Sequence, residues 1–229
     1  FDNVLKCFSI KNGKELWNVK TETTFIKSQK KLSLVILNEK VYFNNSIGDV
    51  SAVDINSGDL IWQTPTQSSS IYESAFLLKT SDLVANDESI LLSNNKNEFF
   101  SINANTGVLN WKQKINSNLR PTIIDNLVFT VTMEGFLVVV ENSTGNIIRI
   151  TNVFDRFKKK KKSKIKPVGF IVGASNIYLT TDNGRLIIID ILSGKSSLIL
   201  KIDNEKISRP FILNKNLFIV KDNAIIKLD

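Results

Sequence analysis

The chain has 229 residues, of which 42% are hydrophobic and 23% are charged, a composition typical of globular rather than disordered proteins. Histidine is absent and Cys7 is the single cysteine, which excludes nucleophile pairs that need histidine, histidine-ligated metals and an intrachain disulfide. The formal net charge is +8, but seven lysines between residues 158 and 166 supply most of it, so the basicity is local.

One turn pattern recurs along the chain at intervals of about 38 to 49 residues. Each copy centres on a glycine, at Gly13, Gly58, Gly107, Gly145 and Gly194. The residues four positions earlier are polar: Ser9, Asp54, Asn103, Glu141 and Asp190. The residues four positions later are Trp17, Trp62, Trp111, Arg149 and Leu198. A second turn residue lies ten positions before each glycine, at Asn3, Gly48, Asn97, Gly135 and Gly184, and Asp222-Asn223 supplies a sixth. Turns that keep one phase predict a repeat architecture.

Each full unit contains four short strand-forming segments, which we name A to D in chain order. In the first full unit they are SLVIL, KVYFNN, DVSAVDI and DLIWQT. Alternating and β-branched apolar residues bounded by Gly, Asn and Asp indicate strands, and no segment has a capped helical period. Four strands in about 40 to 50 residues predict an all-β fold, a β-propeller of four-stranded antiparallel blades.

The predicted units follow one another without a separate domain. Strands C and D of a half blade occupy residues 1–20, and four full blades occupy 25–66, 77–116, 119–152 and 166–203. Strands A, B and C of a partial blade occupy 209–229, which gives about five blades in the chain.

The recurring residues have a structural interpretation. Glycine can adopt the positive φ of the C–D turn, the carboxylate or amide can accept bonds from turn N–H groups, and tryptophan on strand D can lie across a neighbouring blade. We therefore assign a structural role in the repeat to Gly13, Asp54, Gly58, Trp62, Asn103, Gly107, Trp111, Gly145, Asp190 and Gly194, and likewise to Trp17. No residue is predicted to be catalytic, to bind a cofactor or to ligate a metal.

The stretch AVDINSGDLIW (residues 52–62) resembles the tryptophan-docking repeat of the PQQ-type β-propellers, and SINANTGVLNW (residues 101–111) is similar. The copy at Gly13 has Ser9 in place of the aspartate, and the copies at Gly145 and Gly194 lack the tryptophan. The resemblance covers nearly the whole chain and is specific for the fold more than for the function.

Among these propellers the C-terminal sequence looks most like the BamB-like lipoproteins of the outer-membrane barrel-assembly machinery. That resemblance implies a non-enzymatic scaffold for protein–protein interaction without a cofactor, at the periplasmic face of the outer membrane of a Gram-negative bacterium. Its partners would be other subunits of the barrel-assembly machinery. Two alternatives stay open: a ligand-binding or sensor propeller of a larger receptor, and a fragment of a PQQ-dependent dehydrogenase. The second would need a tryptophan beneath the quinone and calcium ligands, whereas all three tryptophans here belong to the repeat.

The phase of the repeat also bears on ring closure. Strand C occurs once more in the chain than a closed ring of complete blades would require. We therefore expect the chain to be the C-terminal part of a larger propeller. A fragment of this kind would expose uncapped blade faces and would tend to self-associate.

The lysine run has two interpretations. Its members are Lys158, Lys159, Lys160, Lys161, Lys162, Lys164 and Lys166, in the connection between strand D of one blade and strand A of the next. It is either a solvated, mobile loop or a contact for acidic lipid headgroups or an acidic partner surface. Aromatic residues do not alternate with the lysines, so specific nucleic-acid binding is not predicted.

Overall fold

The computed structural model describes residues 3–21, 32–66 and 78–228, and these residues are almost entirely β-strand. The predicted blade limits at residues 25 and 77, and the terminal residues 1, 2 and 229, lie outside the described residues.

The strands form six antiparallel sheets in chain order, which we call blades 1 to 6. Blade 1 contains β1 (Val4–Phe8) and β2 (Glu15–Lys20). Blade 2 contains β3 (Leu34–Leu37), β4 (Lys40–Asn44), β5 (Val50–Asp54) and β6 (Leu60–Thr64). Blade 3 contains β7 (Val84–Ala85), β8 (Ser89–Asn94), β9 (Glu98–Asn103) and β10 (Leu109–Gln113).

The later blades follow the same plan. Blade 4 contains β11 (Thr122–Ile124), β12 (Leu127–Val131), β13 (Phe136–Glu141) and β14 (Ile147–Asn152). Blade 5 contains β15 (Pro167–Val172), β16 (Asn176–Thr181), β17 (Arg185–Asp190) and β18 (Ser196–Lys201). Blade 6 contains β19 (Phe211–Leu213), β20 (Asn216–Lys221) and β21 (Ala224–Leu228).

The prediction of an all-β propeller with four-stranded antiparallel blades is confirmed. In every described sheet, strands that are neighbours in the sequence are also paired neighbours in space. The one helix of the described residues is α1 (Lys159–Lys162), a single turn between blades 4 and 5. No helix in the described part of the chain has the length and apolar character needed to span a membrane.

The C–D hairpins share one irregularity in all five copies. The register between the third and fourth strands of a blade shifts by one residue close to the turn, as at Ala52/Val53 in blade 2 and Val139/Val140 in blade 4. The repeat glycines after this bulge all have positive φ, between 69° and 78°. A turn that ends on a left-handed glycine beside a bulge matches the twist of the flanking strands, which explains why glycine recurs there.

The hydrophobic core lies between blades and not inside a single sheet. One cluster joins residues of blades 2 and 3, such as Tyr42 and Phe100, and another joins residues of blades 3 and 4, such as Phe99 and Val138. The largest cluster joins blades 4 and 5 and includes Phe170, which is fully buried. The blades are therefore stabilised mainly by stacking on their neighbours.

Blades 2 and 3 also meet through their first strands. Strands β3 and β7, the first strands of blades 2 and 3, approach each other directly. The backbone N–H of Leu83, just before β7, donates to Ser33 Oγ, just before β3, at 2.9 Å. Exposed apolar residues occur on first strands, such as Ile36 on β3, and on fourth strands, such as Leu60 on β6.

Candidate functional site

The tryptophans of the repeat pack across the joints between blades. Trp62 of β6 is buried, and its Nε1 donates to the carbonyl oxygen of Ala104 in blade 3 at 3.1 Å. Its indole covers Gly107, where an added Cβ would lie 2.7 Å from the ring. The same arrangement joins Trp17 to Ile55 and Gly58, and Trp111 to Asn142 and Gly145.

The polar residues of the repeat are bonded within their own turns. Asp54 Oδ1 accepts the backbone N–H groups of Asn56 and Ser57, each at 2.8 Å. These bonds, the one from Ser57 first, lower the pKa of Asp54 from its ordinary value because they favour the charged carboxylate. The hydroxyl of Ser193 does the same for the pKa of Asp190, aided by the Ser193 backbone N–H.

Asn103 shows that an amide can serve in place of the carboxylate. Its Oδ1 accepts the backbone N–H groups of Asn105 at 3.0 Å and Thr106 at 2.9 Å. Asp54, Asn103 and Asp190 thus each use a side-chain oxygen to accept hydrogen bonds within the turn.

Arg149 occupies the position of the tryptophan in blade 4. Its guanidinium donates to the carbonyl oxygens of Ile191, at 2.8 Å, and Leu192 in the next blade. Arg149 Nε and Thr151 Oγ1 lie over Gly194 in the way that an indole lies over the other repeat glycines. In the sequence, Arg149 stands at a position where the tryptophan of the repeat is missing. In the structure, its N–H donors bond the same turn of the next blade that an indole N–H bonds at the other joints.

Gly13 differs from the other repeat glycines. Its φ is +69°, yet no heavy atom of the described residues lies within 4 Å of an added Cβ. Gly13 therefore has the turn conformation without the side chain that covers the turn.

The lysine run is held on an ordered segment. Val153 and Phe154 before it and Ile165 near its end are all buried in the cluster between blades 4 and 5. Phe157 is half-buried and meets Phe154 edge-on, with ring centroids 5.8 Å apart. The segment of residues 158–166, which we call the lysine segment, is therefore anchored at both ends.

The lysine side chains themselves face solvent. All seven are exposed except Lys162, which is half-buried. Within residues 3–21, 32–66 and 78–228, none of them forms a salt bridge with a carboxylate. The anchored segment thus displays unneutralised positive charge at one place on the surface.

A shallow groove lies beside the outer strand β14. Its volume is about 300 Å³, and half of its lining is polar or charged, while the apolar half includes Phe136, Ile147 and Ile150. On β14 itself Ile148 and Ile150 are each 57% exposed. Because β14 is the last strand of its sheet, one side of its backbone has no paired strand in blade 4.

Chemistry-bearing clusters are scarce in the described residues. No group of three or more cysteine, aspartate or glutamate side chains in those ranges could hold a metal ion. Cys7 is a partly buried free thiol opposite Trp17 on β1. The features of the described surface that could bind a partner therefore include the lysine segment and exposed outer strands such as β14.

The sequence is similar to known propeller proteins. The model of the family described as "Outer membrane protein assembly factor BamB" matches residues 2–151. A protein of that name from Legionella pneumophila (strain Paris) is 26% identical over 155 residues, which is 66% of this chain and 35% of the relative. The chain thus spans about a third of that relative's length.

Solved structures share the fold at low sequence identity. BamB from Moraxella catarrhalis aligns with a TM-score of 0.58 and 13% identity, over 99% of this chain and 78% of that one. The computationally designed protein Ika8 aligns with a TM-score of 0.70 and 15% identity, over 95% and 62% of the two chains. The β-propeller domain of Cps50 (Swd1) from Myceliophteria thermophila aligns with a TM-score of 0.64 and 12% identity, over 85% and 62%.

Similarity to solved structures at these low identities shows the fold alone. The family model, by contrast, matches more than half of the chain and includes four of the five turn copies, the last at Gly145. The resemblance of AVDINSGDLIW to the tryptophan-docking repeat is confirmed by that match and by the packing of Trp62 on Gly107. The chain belongs to the PQQ-type β-propeller family of the outer membrane protein assembly factor BamB.

Proposed function

We propose that the chain acts as a non-enzymatic scaffold that holds a subunit of the machinery assembling outer-membrane proteins, on the periplasmic side of the outer membrane. Family membership supports this role. The observation that carries it is the engagement of all three tryptophans in joints between blades, which leaves none of them to face a quinone.

Within this proposal the partner binds at the outer strand β14. The strand has a free backbone edge, exposed Ile148 and Ile150, and beside it a groove whose lining is half apolar and half polar. An extended segment of an assembly subunit can pair with such an edge, so that main-chain hydrogen bonds give affinity and the groove takes alternate side chains. We therefore propose a β-strand of an assembly subunit as the occupant.

We expect substitution of β14 to prevent capture of that subunit. Affinity-tagged chain mixed with detergent-solubilised outer-membrane extract should retain an assembly subunit, identified by mass spectrometry. The double change Ile148→Lys and Ile150→Lys should reduce its recovery at least about tenfold, because charge on the edge opposes strand addition.

The matched control changes two apolar residues on another outer strand. Leu60 and Ile61 of β6 are 53% and 43% exposed, and their replacement by lysine should leave recovery unchanged. Equal recovery with the β14 variant would reject β14 as the docking strand. Absence of any assembly subunit with the unaltered chain, or dye reduction with added PQQ, calcium and an alcohol, would reject the scaffold role itself.

The lysine segment orients the scaffold toward an anionic lipid surface. Lysine ammonium groups are point charges without the fork geometry that selects a particular carboxylate, so they suit diffuse negative charge. Phe154 is buried and Phe157 meets it edge-on at the base of the segment, so the pair offers no exposed platform for bases. Each lysine near an anionic membrane contributes about 1 kcal/mol, within a screening length of about 8 Å at physiological salt.

Vesicle co-sedimentation tests this orientation. Changing Lys158, Lys159, Lys160 and Lys161 to glutamine should weaken binding to phosphatidylglycerol-containing vesicles at least about tenfold at low salt. The control makes the same charge change at four exposed lysines in turns between consecutive strands of one blade: Lys11, Lys14, Lys195 and Lys215. Equal loss in both variants would show that net charge alone acts, and undiminished binding in the first would reject the lipid contact.

A further inference from the structure

The connections between strands gather at two opposite ends of the blades. Each blade is an antiparallel meander, so its A–B and C–D turns lie at one end of the strands and its B–C turn lies at the other. Ile55 of the C–D turn of blade 2 donates its backbone N–H to Glu39 of the A–B turn at 2.9 Å. At the other end Met133, in the B–C turn of blade 4, donates to Asn116 at 2.9 Å, and Asn116 lies in the connection from strand D of blade 3 to strand A of blade 4. The D–A connections therefore share the end of the B–C turns.

The end formed by the A–B and C–D turns, which we call the acidic end, carries mostly carboxylates in blades 2 to 4. With the strand residues that border them, these turns contain seven acidic residues and one basic residue, Lys40. The acidic residues are Glu39, Asp54, Asp59, Asp87, Glu88, Asp125 and Glu141. Asn38 Nδ2 of blade 2 donates to Asp87 Oδ1 of blade 3 at 2.9 Å, so the acidic turns of these two blades adjoin. Over the described parts of all six blades this end has an excess of four negative charges.

The end formed by the B–C turns and the D–A connections, which we call the basic end, has the opposite charge. With the bordering strand residues, its described part contains eighteen basic and nine acidic residues, and the lysine segment supplies seven of the basic ones. Exposed cations outside that segment include Lys79, Lys96 and Lys114. The backbone N–H of Asp182, in the B–C turn of blade 5, donates to Lys166 at 2.9 Å, so the lysine segment is joined to this end.

The two ends are far enough apart to act separately on a charged surface. The third and fourth strands of the full blades have five or six residues, which separates the ends by about 17–20 Å. The screening length is about 8 Å at physiological salt, so a surface in contact with one end interacts only weakly with the other. The net charge of +8 is therefore distributed unevenly between two ends that a surface can distinguish.

From this arrangement we infer that the chain binds an anionic lipid surface in one fixed orientation, with the basic end against the surface and the acidic end directed away from it. The inference rests on the lipid contact proposed above for the lysine segment and adds the direction of the whole propeller. Attraction at the basic end and repulsion at the acidic end favour the same orientation, because that orientation alone holds the acidic turns beyond the screening length.

The orientation also sets the direction of the docking strand. β14 (Ile147–Asn152) runs from the C–D turn of blade 4, at the acidic end, directly into the connection that carries the lysine segment. In the bound chain β14 therefore stands upright on the membrane, with Asn152 at its lower end. A partner strand that pairs with β14 runs along the membrane normal.

Vesicle co-sedimentation with two matched variants tests the orientation. One variant neutralises four exposed residues of the acidic end, by Glu39→Gln, Asp87→Asn, Glu88→Gln and Asp125→Asn. The other neutralises four exposed residues of the basic end, by Asp82→Asn, Asp155→Asn, Glu205→Gln and Asp222→Asn. Both raise the net charge by the same amount. At physiological salt the second should bind phosphatidylglycerol-containing vesicles at least about tenfold more tightly than the unaltered chain, whereas the first should change binding by less than about twofold.

The outcomes separate the orientation from the lipid contact itself. Equal gains for the two variants would mean that net charge alone acts, which overturns the orientation and leaves the lysine contact standing. If the unaltered chain does not bind these vesicles, the lipid contact fails and the orientation fails with it.

Tryptophan fluorescence gives a second measure of the orientation. The indoles of Trp17, Trp62 and Trp111 pack on C–D turns, so the unaltered chain holds all three near the acidic end. Brominated phosphatidylglycerol, which quenches indoles only at short range, should leave the fluorescence of the bound chain unchanged. Quenching of these tryptophans on vesicle binding would place the acidic end at the lipid and overturn the inference.

Discussion

Replacing Trp62 with alanine is expected to lower the free energy of unfolding by about 3–5 kcal/mol. The indole lies in the core between blades 2 and 3, in contact with Tyr42 at a centroid separation of 5.8 Å. The change removes this packing and the bond from Nε1 to Ala104, and it opens a cavity that rigid sheets can fill only in part. Urea denaturation followed by far-ultraviolet circular dichroism measures the loss.

Trp17→Ala is the matched control for this effect. Trp17 makes the corresponding bond to Ile55 and covers Gly58, but its side chain is only partly buried. We expect a loss at least about 1 kcal/mol smaller than for Trp62, because less apolar area leaves water on folding. Equal losses for the two variants would contradict burial between blades as the source of the tryptophan's contribution.

Gly107→Ala is expected to lower the free energy of unfolding by about 2–4 kcal/mol, through two separate effects. The φ of +74° at Gly107 is unfavourable for any residue with a Cβ. The new Cβ would also meet the indole of Trp62 at 2.7 Å and must displace it. Denaturation of the variant and of the unaltered chain under the same conditions gives the difference.

Gly13→Ala isolates the conformational part. Gly13 has nearly the same φ, +69°, and no atom of the described residues within 4 Å of an added Cβ. Its replacement should therefore cost only about 1 kcal/mol. If the two glycine variants lost the same stability, contact between the indole and the turn would not be the reason for glycine at residue 107.

The repeat made most of the fold predictable from the sequence. The positions ten residues before the repeat glycines, among them Gly48, Gly135 and Asn97, have positive φ, which is the property that selects glycine and asparagine there. Local turn chemistry of this kind is readable in a sequence because it depends on one residue and its nearest neighbours. The proline at residue 167 likewise opens β15, at a position where a missing N–H is tolerated.

Features that depend on contacts across blades could not be predicted in the same way. Arg149 interrupts the tryptophan pattern, and only the neighbouring carbonyl oxygens of Ile191 and Leu192 show that it takes over the joint.

The lysine segment illustrates a third limit. Its sequence has no N-capping residue and no acidic residue in the first turn, and its adjacent lysines repel one another. The sequence therefore did not predict a helix here. The anchors Phe154 and Ile165 nevertheless fix both ends, and the short turn α1 forms between them. Tertiary packing decides the local conformation here.

Those anchors link ligand binding at the lysine segment to folding. Phe154 and Ile165 are 0% and 3% exposed and belong to the same core as Phe170 of blade 5, so the segment cannot detach without opening that core. Any ligand that binds the attached form alone shifts the local unfolding equilibrium by mass action, by about 2.7 kcal/mol at a concentration one hundred times its dissociation constant. An anionic surface that binds these lysines would therefore slow amide hydrogen exchange in β15 to β17, which that surface does not itself contact.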